Sequence, residues 1–151
     1  MHKAKESGYF GIGIYYPKRD FNIGTLWRTA VNFNASFIFT IGKKYKKQTS
    51  DVFNAYSKIP MYHYDDAEAF FSNVPRDCQI IGLEQNNISK SLIDFKHPKR
   101  AIYLLGAEDV GLQEGIVNKC QHVIEIPTDG SLNVAVSGAV VLYDRLSKLD
   151  K

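Results

Sequence analysis

The sequence predicts an α/β protein, a parallel β-sheet with helices on both faces. Three observations carry this. Short apolar runs alternate with amphipathic ones from end to end, with no internal repeat and no low-complexity tract. Ala101-Ile102-Tyr103-Leu104-Leu105 is apolar without a break, as a strand covered on both faces has to be. Pro17, Gly42 and Pro127 each close an apolar run, where strands of such a sheet would stop.

The elements follow in order. Residues 11–16 read as the first strand, ended by Pro17. Residues 22–33 read as a helix with Asn22 as a candidate cap. Phe37–Ile41 is the second strand, closed by Gly42. Residues 50–56 suggest a short helix and Met61–Tyr64 a short strand. Residues 65–71 open with acids, which the positive end of a helix favours. Gln79–Leu83 is a strand candidate, as is the 101–105 run. Residues 113–119 read as helix and 122–126 as the last strand, ended by Pro127. Residues 133–149 form a long closing helix, apolar nearly all round for two turns and so expected to be buried. Its small residues Ala135, Ser137, Gly138 and Ala139 admit a second backbone, within the domain or across a subunit interface. Ligands of parallel sheets bind beyond the carboxyl ends of the strands, so the loops there are the ones to search.

Composition narrows the class. With 151 residues, 44% hydrophobic and 23% charged, the chain is expected to form one globular domain over 1–151. No apolar run approaches a membrane span, and Met1–Glu6 has no signal-peptide core, so a cytoplasmic protein with no membrane partner is expected. Cys78 and Cys120 sit in no CxxC pair, which gives no basis for a metal site; both are expected reduced and buried. The net charge of +3 is mild, but the cations cluster. Lys43, Lys44, Lys46 and Lys47 surround Tyr45; Lys96, His97, Lys99 and Arg100 form a second group, and Lys18 with Arg19 a third. Each alone is compatible with a solvated loop; three beside strands favour a polyanion partner.

Three loops carry candidate chemistry. In Asn22-Ile23-Gly24-Thr25-Leu26-Trp27-Arg28, Arg28 falls on the opening turns of the expected helix, where the dipole disfavours a cation. That placement suggests an incoming anion such as phosphate. Gly106 and Gly111 bracket Ala107-Glu108-Asp109-Val110, where glycine permits close backbone approach to a ligand. The spacing is not that of a Walker loop, and Gly11-Ile12-Gly13 lies inside a strand without a third glycine, so neither a triphosphate nor a dinucleotide site is indicated. In the loop after Ile126-Pro127, Ser131 and Asn133 are both good N-caps, and one could cap the last helix while the other meets a substrate.

These three loops, in this order, resemble the signature motifs of the SpoU (TrmH) class of SPOUT RNA methyltransferases. Asn22 with Arg28 resembles the first, Gly106-Ala107-Glu108 with Gly111 the second, and Ile126-Pro127 with Ser131-Leu132-Asn133-Val134 the third. The likeness runs from about Phe10 to Leu146. It implies a SPOUT α/β-knot fold with a C-terminal trefoil knot, which sequence physics alone would not predict because knots are rare. It implies a homodimer that binds S-adenosylmethionine through Leu83, Gly106, Ile126, Ser131 and Leu132. It places Asn22, Arg28, Glu108, Ser131 and Asn133 around the reacting ribose of a tRNA or rRNA, methylated on its 2′-hydroxyl. The third motif departs in reading Val134-Ala135-Val136-Ser137 where a serine nearer the asparagine is expected. A non-catalytic RNA-binding relative and a base-modifying methyltransferase are the alternatives. An oxidoreductase is disfavoured by the missing glycine fingerprint.

Overall fold

The computed structural model describes residues 8–46, 58–107 and 109–149. The expected helix over 50–56 lies outside them. Strands β1 (Tyr9–Tyr15), β2 (Phe37–Ile41), β3 (Met61–Tyr64), β4 (Gln79–Leu83), β5 (Lys90–Ser91), β6 (Arg100–Gly106) and β7 (His122–Glu125) form one sheet of order β3-β2-β1-β6-β4-β7-β5. Every neighbouring pair is parallel, so all seven carboxyl ends emerge on one edge. The helices are α1 (Asp20–Asn32), α2 (Ala67–Ser72), α3 (Glu114–Val117) and α4 (Val134–Leu149).

Strand periodicity sorts side chains between two cores. Phe10, Ile12 and Ile14 of β1, with Tyr103 and Leu105 of β6, pack under α1 and α4 through Ile23, Leu26, Trp27, Val141 and Leu142. Phe37, Phe39, Ile102 and Leu104 point the other way, against Phe70 of α2 and Ile116 and Val117 of α3. Gly11 and Gly13 belong to this second face. A Cβ at Gly11 would lie 2.2 Å from the Phe37 ring, and one at Gly13 2.4 Å from Phe39 Cδ2. The glycine pair in β1 thus makes room for two rings.

Helix α1 starts two residues earlier than expected, at Asp20, with Arg19 as its N-cap. Asn22 is therefore inside the first turn and not the cap. Arg28 becomes the ninth helical residue, beyond the first turn in which the dipole acts, so the dipole argument for an incoming anion no longer holds.

Helix α4 is buried on one side only. Val134, Ala135, Ser137, Gly138, Val141, Leu142 and Arg145 face inward, while Val136, Val140 and Tyr143 are exposed. The small residues serve a contact inside the chain: a Cβ at Gly138 would meet Leu26 Cδ1 of α1 at 2.4 Å. The carboxyl end of α4 is tied down by a buried polar chain. Arg145 donates to Tyr103 Oη (2.9 Å) and to the carbonyls of Pro98 (2.8 Å) and Lys99 (2.9 Å). His97 bridges Tyr103 Oη and Asp144, each at 2.7 Å. Asp144 needs a donor, so Nε2 carries the proton and Nδ1 accepts from Tyr103. Burial pushes the Tyr103 phenol up to about 12, which keeps that proton in place.

Both cysteines are free but only partly buried, less than expected. The Cys120 Sγ donates to Ile116 O at 3.4 Å, and burial raises its thiol to about 11, which keeps it protonated.

Candidate active site at the carboxyl edge

The loops after β4, β6 and β7 enclose a cleft of about 660 Å³, open mouth included. Leu83, Gly106, Ile126, Ser131 and Leu132 all line it, with Leu105 and Val134 adding apolar wall. The second loop is folded back on itself by an antiparallel bridge between Ala107 and Gly111, with Gly111 N donating to Ala107 O at 2.8 Å. Gly111 has φ +66, and a Cβ on Gly106 would collide with it at 2.5 Å. Both glycines of this loop are thus required by backbone geometry.

Reading the sequence missed Glu84 and Gln85. Glu84 Oε2 accepts from Leu112 N at 2.6 Å and so holds the Gly106–Gly111 loop against β4. Gln85 Nε2 donates to Ile126 O at 3.3 Å, joining the first wall to the third. The available signal was position alone: both follow the carboxyl end of a buried strand. The described lining contains Glu84 and Glu125 and no Lys, Arg or His. Such a lining disfavours a phosphate and suits a compact cation with an aromatic base, as a sulfonium nucleoside is.

Beside the cleft, Asn133 Nδ2 donates to Asn22 Oδ1 at 3.0 Å across 111 residues of sequence. Asn133 Oδ1 accepts from Ala135 N (2.9 Å) and Val136 N (3.1 Å), so Asn133, not Ser131, caps α4. Ser131 stands exposed on the cleft lining. Arg28 is not among the residues that line the cleft. It lies on the exposed side of α1 in line with Phe21 and Thr25, while Asn22 faces inward. Glu108 lies outside the described residues.

The cation clusters divide. Lys43 Nζ donates to Lys18 O at 2.6 Å, and Lys46 N donates to Asp20 Oδ1 at 3.3 Å, which merges Lys43, Lys44 and Lys46 with Lys18 and Arg19 at the carboxyl ends of β1 and β2; Lys47 lies outside the described residues. Lys18 also pairs with Asp109, and its ammonium holds that carboxyl below the usual range. Lys96, Lys99 and Arg100 fall at the opposite edge, at or just before the amino end of β6, where Arg100 donates to Arg76 O and covers the Tyr9 ring. His97 of that group is buried in the core.

A family model described as the SpoU rRNA Methylase family matches residues 10–143. The chain belongs to this family. SpoU methylases use S-adenosylmethionine as methyl donor. A 68-residue stretch is 35% identical to the tRNA (guanosine(18)-2'-O)-methyltransferase TARBP1 of Mus musculus. That stretch is 43% of this chain and only 4% of the mouse protein. A structure described as giving insights into the 2-OH methylation of C/U34 on tRNA aligns with TM-score 0.80 at 22% identity, covering 95% of this chain and 97% of its own. The AdoMet-bound rRNA methyltransferase of Sinorhizobium meliloti aligns with TM-score 0.84 at 21% identity, over 98% of this chain and 59% of its own. These likenesses share the SpoU fold; two walls of the cleft are the segments that resemble the second and third family motifs, and the first motif segment is tied to the third through Asn22 and Asn133.

Proposed function

We propose that this SpoU methylase transfers a methyl group from S-adenosylmethionine to a ribose 2′-hydroxyl of tRNA or rRNA. The observation that carries this is the cleft: the second and third motif loops line it with the loop after β4, its described lining holds two carboxylates and no cation, and the Asn22–Asn133 pair brings the first motif loop beside it. The names of the mouse relative and of the tRNA-methylating structural neighbour support a ribose hydroxyl as acceptor.

The donor supplies an activated methyl on sulfur, so the protein's task is chiefly to position the acceptor. Leu83, Leu105, Ile126 and Leu132 would bind the adenine face, and backbone groups of the Gly106 and Ile126 loops its edge. Asn22 and Asn133 fix the entry of α4 relative to α1, and so the wall that runs through Leu132. In the transfer the carbon–sulfur bond breaks as the carbon–oxygen bond forms, and the hydroxyl proton leaves to a phosphate oxygen or water. In this reading Arg28, outside the cleft lining, meets the phosphate beside the reacting ribose and polarises the hydroxyl. Glu108 is the competing base.

The reading includes a cytoplasmic homodimer of a single 1–151 domain whose C-terminal segment passes through a knot. No described helix is long and apolar enough to cross a membrane. Val136, Val140 and Tyr143 recur at helical spacing on the outer side of α4, an apolar stripe that a second copy would cover. Incubation with labelled adenosylmethionine and bulk tRNA and rRNA, followed by nucleoside analysis, tests the function. A 2′-O-methylated nucleoside is expected; label on a base, or none on RNA, would refute it.

A further inference from the structure

We propose that a single-stranded segment of RNA lies across the loops after β1 and β2, its phosphates on Lys18, Arg19, Lys43, Lys44 and Lys46 and one base stacked on Phe21. The proposal rests on the RNA reading above and adds the surface, the strandedness and the stacking residue.

Four observations point there. Two clusters of cations, some 25 residues apart in sequence, are bonded into one surface through Lys43 Nζ and the Lys18 carbonyl. Among the described residues, five cations stand there against the carboxylates Asp20 and Asp109, a net positive balance. It adjoins the site through two ties, Lys18 to Asp109 of the second loop and Asn22 to Asn133 of the third. Phe21, between Arg19 and Asn22, is 67% exposed and belongs to neither core.

An aromatic ring held in water beside cations has a physical use in binding unpaired bases. Every base presents a π-face, and stacking tolerates sequence while phosphates track the cations. A duplex hides its faces and has no use for such a ring. Phe21 also shares the exposed side of α1 with Arg28, at the i and i+7 positions. A base on Phe21 therefore sets its flanking phosphates along that side, toward Arg28.

The amino edge provides an internal control, because Lys96 and Lys99 are exposed there at the same charge. The experiment measures binding of a labelled single-stranded RNA of about 20 nucleotides and of a duplex of the same length, across a salt series. R19A/K44A is expected to weaken both by about tenfold and to lower the single-strand salt slope by about 1.4, two contacts at roughly 0.7 each. K96A/K99A is expected to change neither. Phe21→Ala is expected to weaken the single strand by about tenfold with the slope unchanged and the duplex unaffected, and Phe21→Tyr to restore it. Equal effects of the two double variants would overturn the track, and wild-type binding by Phe21→Ala would overturn the stacking. Wild-type protein that binds neither RNA would remove the RNA reading itself and this proposal with it. Methyl transfer with R19A/K44A binding as wild type would leave that reading standing and refute only the track.

Discussion

Truncating Asn133 separates two roles that one side chain combines. Its Oδ1 caps the 16-residue α4 through Ala135 N and Val136 N, and its Nδ2 donates to Asn22, which is 4% exposed. Loss of an N-cap costs about 1 kcal/mol. Withdrawing a donor from a buried carbonyl oxygen costs about 1–3 kcal/mol. Asn133→Ala is thus expected to destabilise by about 3 kcal/mol, a fall of roughly 6–12 °C in Tm for a chain of this size. Asn133→Ser keeps a cap and loses only the bridge, so it should be milder by about 1 kcal/mol. Urea unfolding at one fixed protein concentration measures both, because association would otherwise shift the midpoint. An Ala variant within about 0.5 kcal/mol of wild type would refute the bridge and the cap together. Equal losses for Ala and Ser would show that the cap contributes nothing.

Four further outcomes are expected. Burial holds the His97 imidazole below its ordinary 6.5, against the opposing pull of Asp144 and with Arg145 and Lys148 adding to the lowering. The native protein then binds this proton less readily than the unfolded chain, so stability is full above about pH 6.5 and falls as pH drops through that value toward the lower folded one. Half-exposed His122 is shifted the same way, so urea midpoints of His97→Gln against wild type should lose part, not all, of the slope. Gly138→Ala gains helix propensity but drives a methyl into Leu26, for a net loss of about 1 kcal/mol by thermal melting; unchanged stability would mean Leu26 swings aside freely. Val136→Lys with Val140→Lys should give a monomer by light scattering, and a persistent dimer would place the interface elsewhere. Arg28→Ala should slow single-turnover methyl transfer by roughly two orders of magnitude with adenosylmethionine affinity unchanged by calorimetry, and Arg28→Lys should rescue little. A rate within a fewfold of wild type would remove Arg28 from the site.

The limits of β2, β3 and β4 match the sequence expectation residue for residue. The apolar runs there are short, bounded by turn residues and carry a local signal. The same locality made the three motif loops legible, because each sits where an apolar run ends. Strand β5 was not legible, since two residues, Lys90 and Ser91, have no periodicity and pair only because β7 presents a free edge. The start of α1 was missed because Asn22 is the better cap in isolation, whereas in the fold its side-chain oxygen accepts from Asn133 and the helix opens two residues earlier. The apolar character of α4 was visible, but not that α1 and the sheet cover only one side of it and leave Val136, Val140 and Tyr143 outside. Composition along the chain and the order of strands and loops are local properties, and sequence alone determined them. The strand order in the sheet, the meeting of Asn22 with Asn133, the closing of the cleft by Glu84 and the merging of two lysine clusters into one surface were decided by tertiary structure. Each depends on contacts between residues tens of positions apart, whose partner is chosen by how the sheet pairs and not by any pattern within the segment itself.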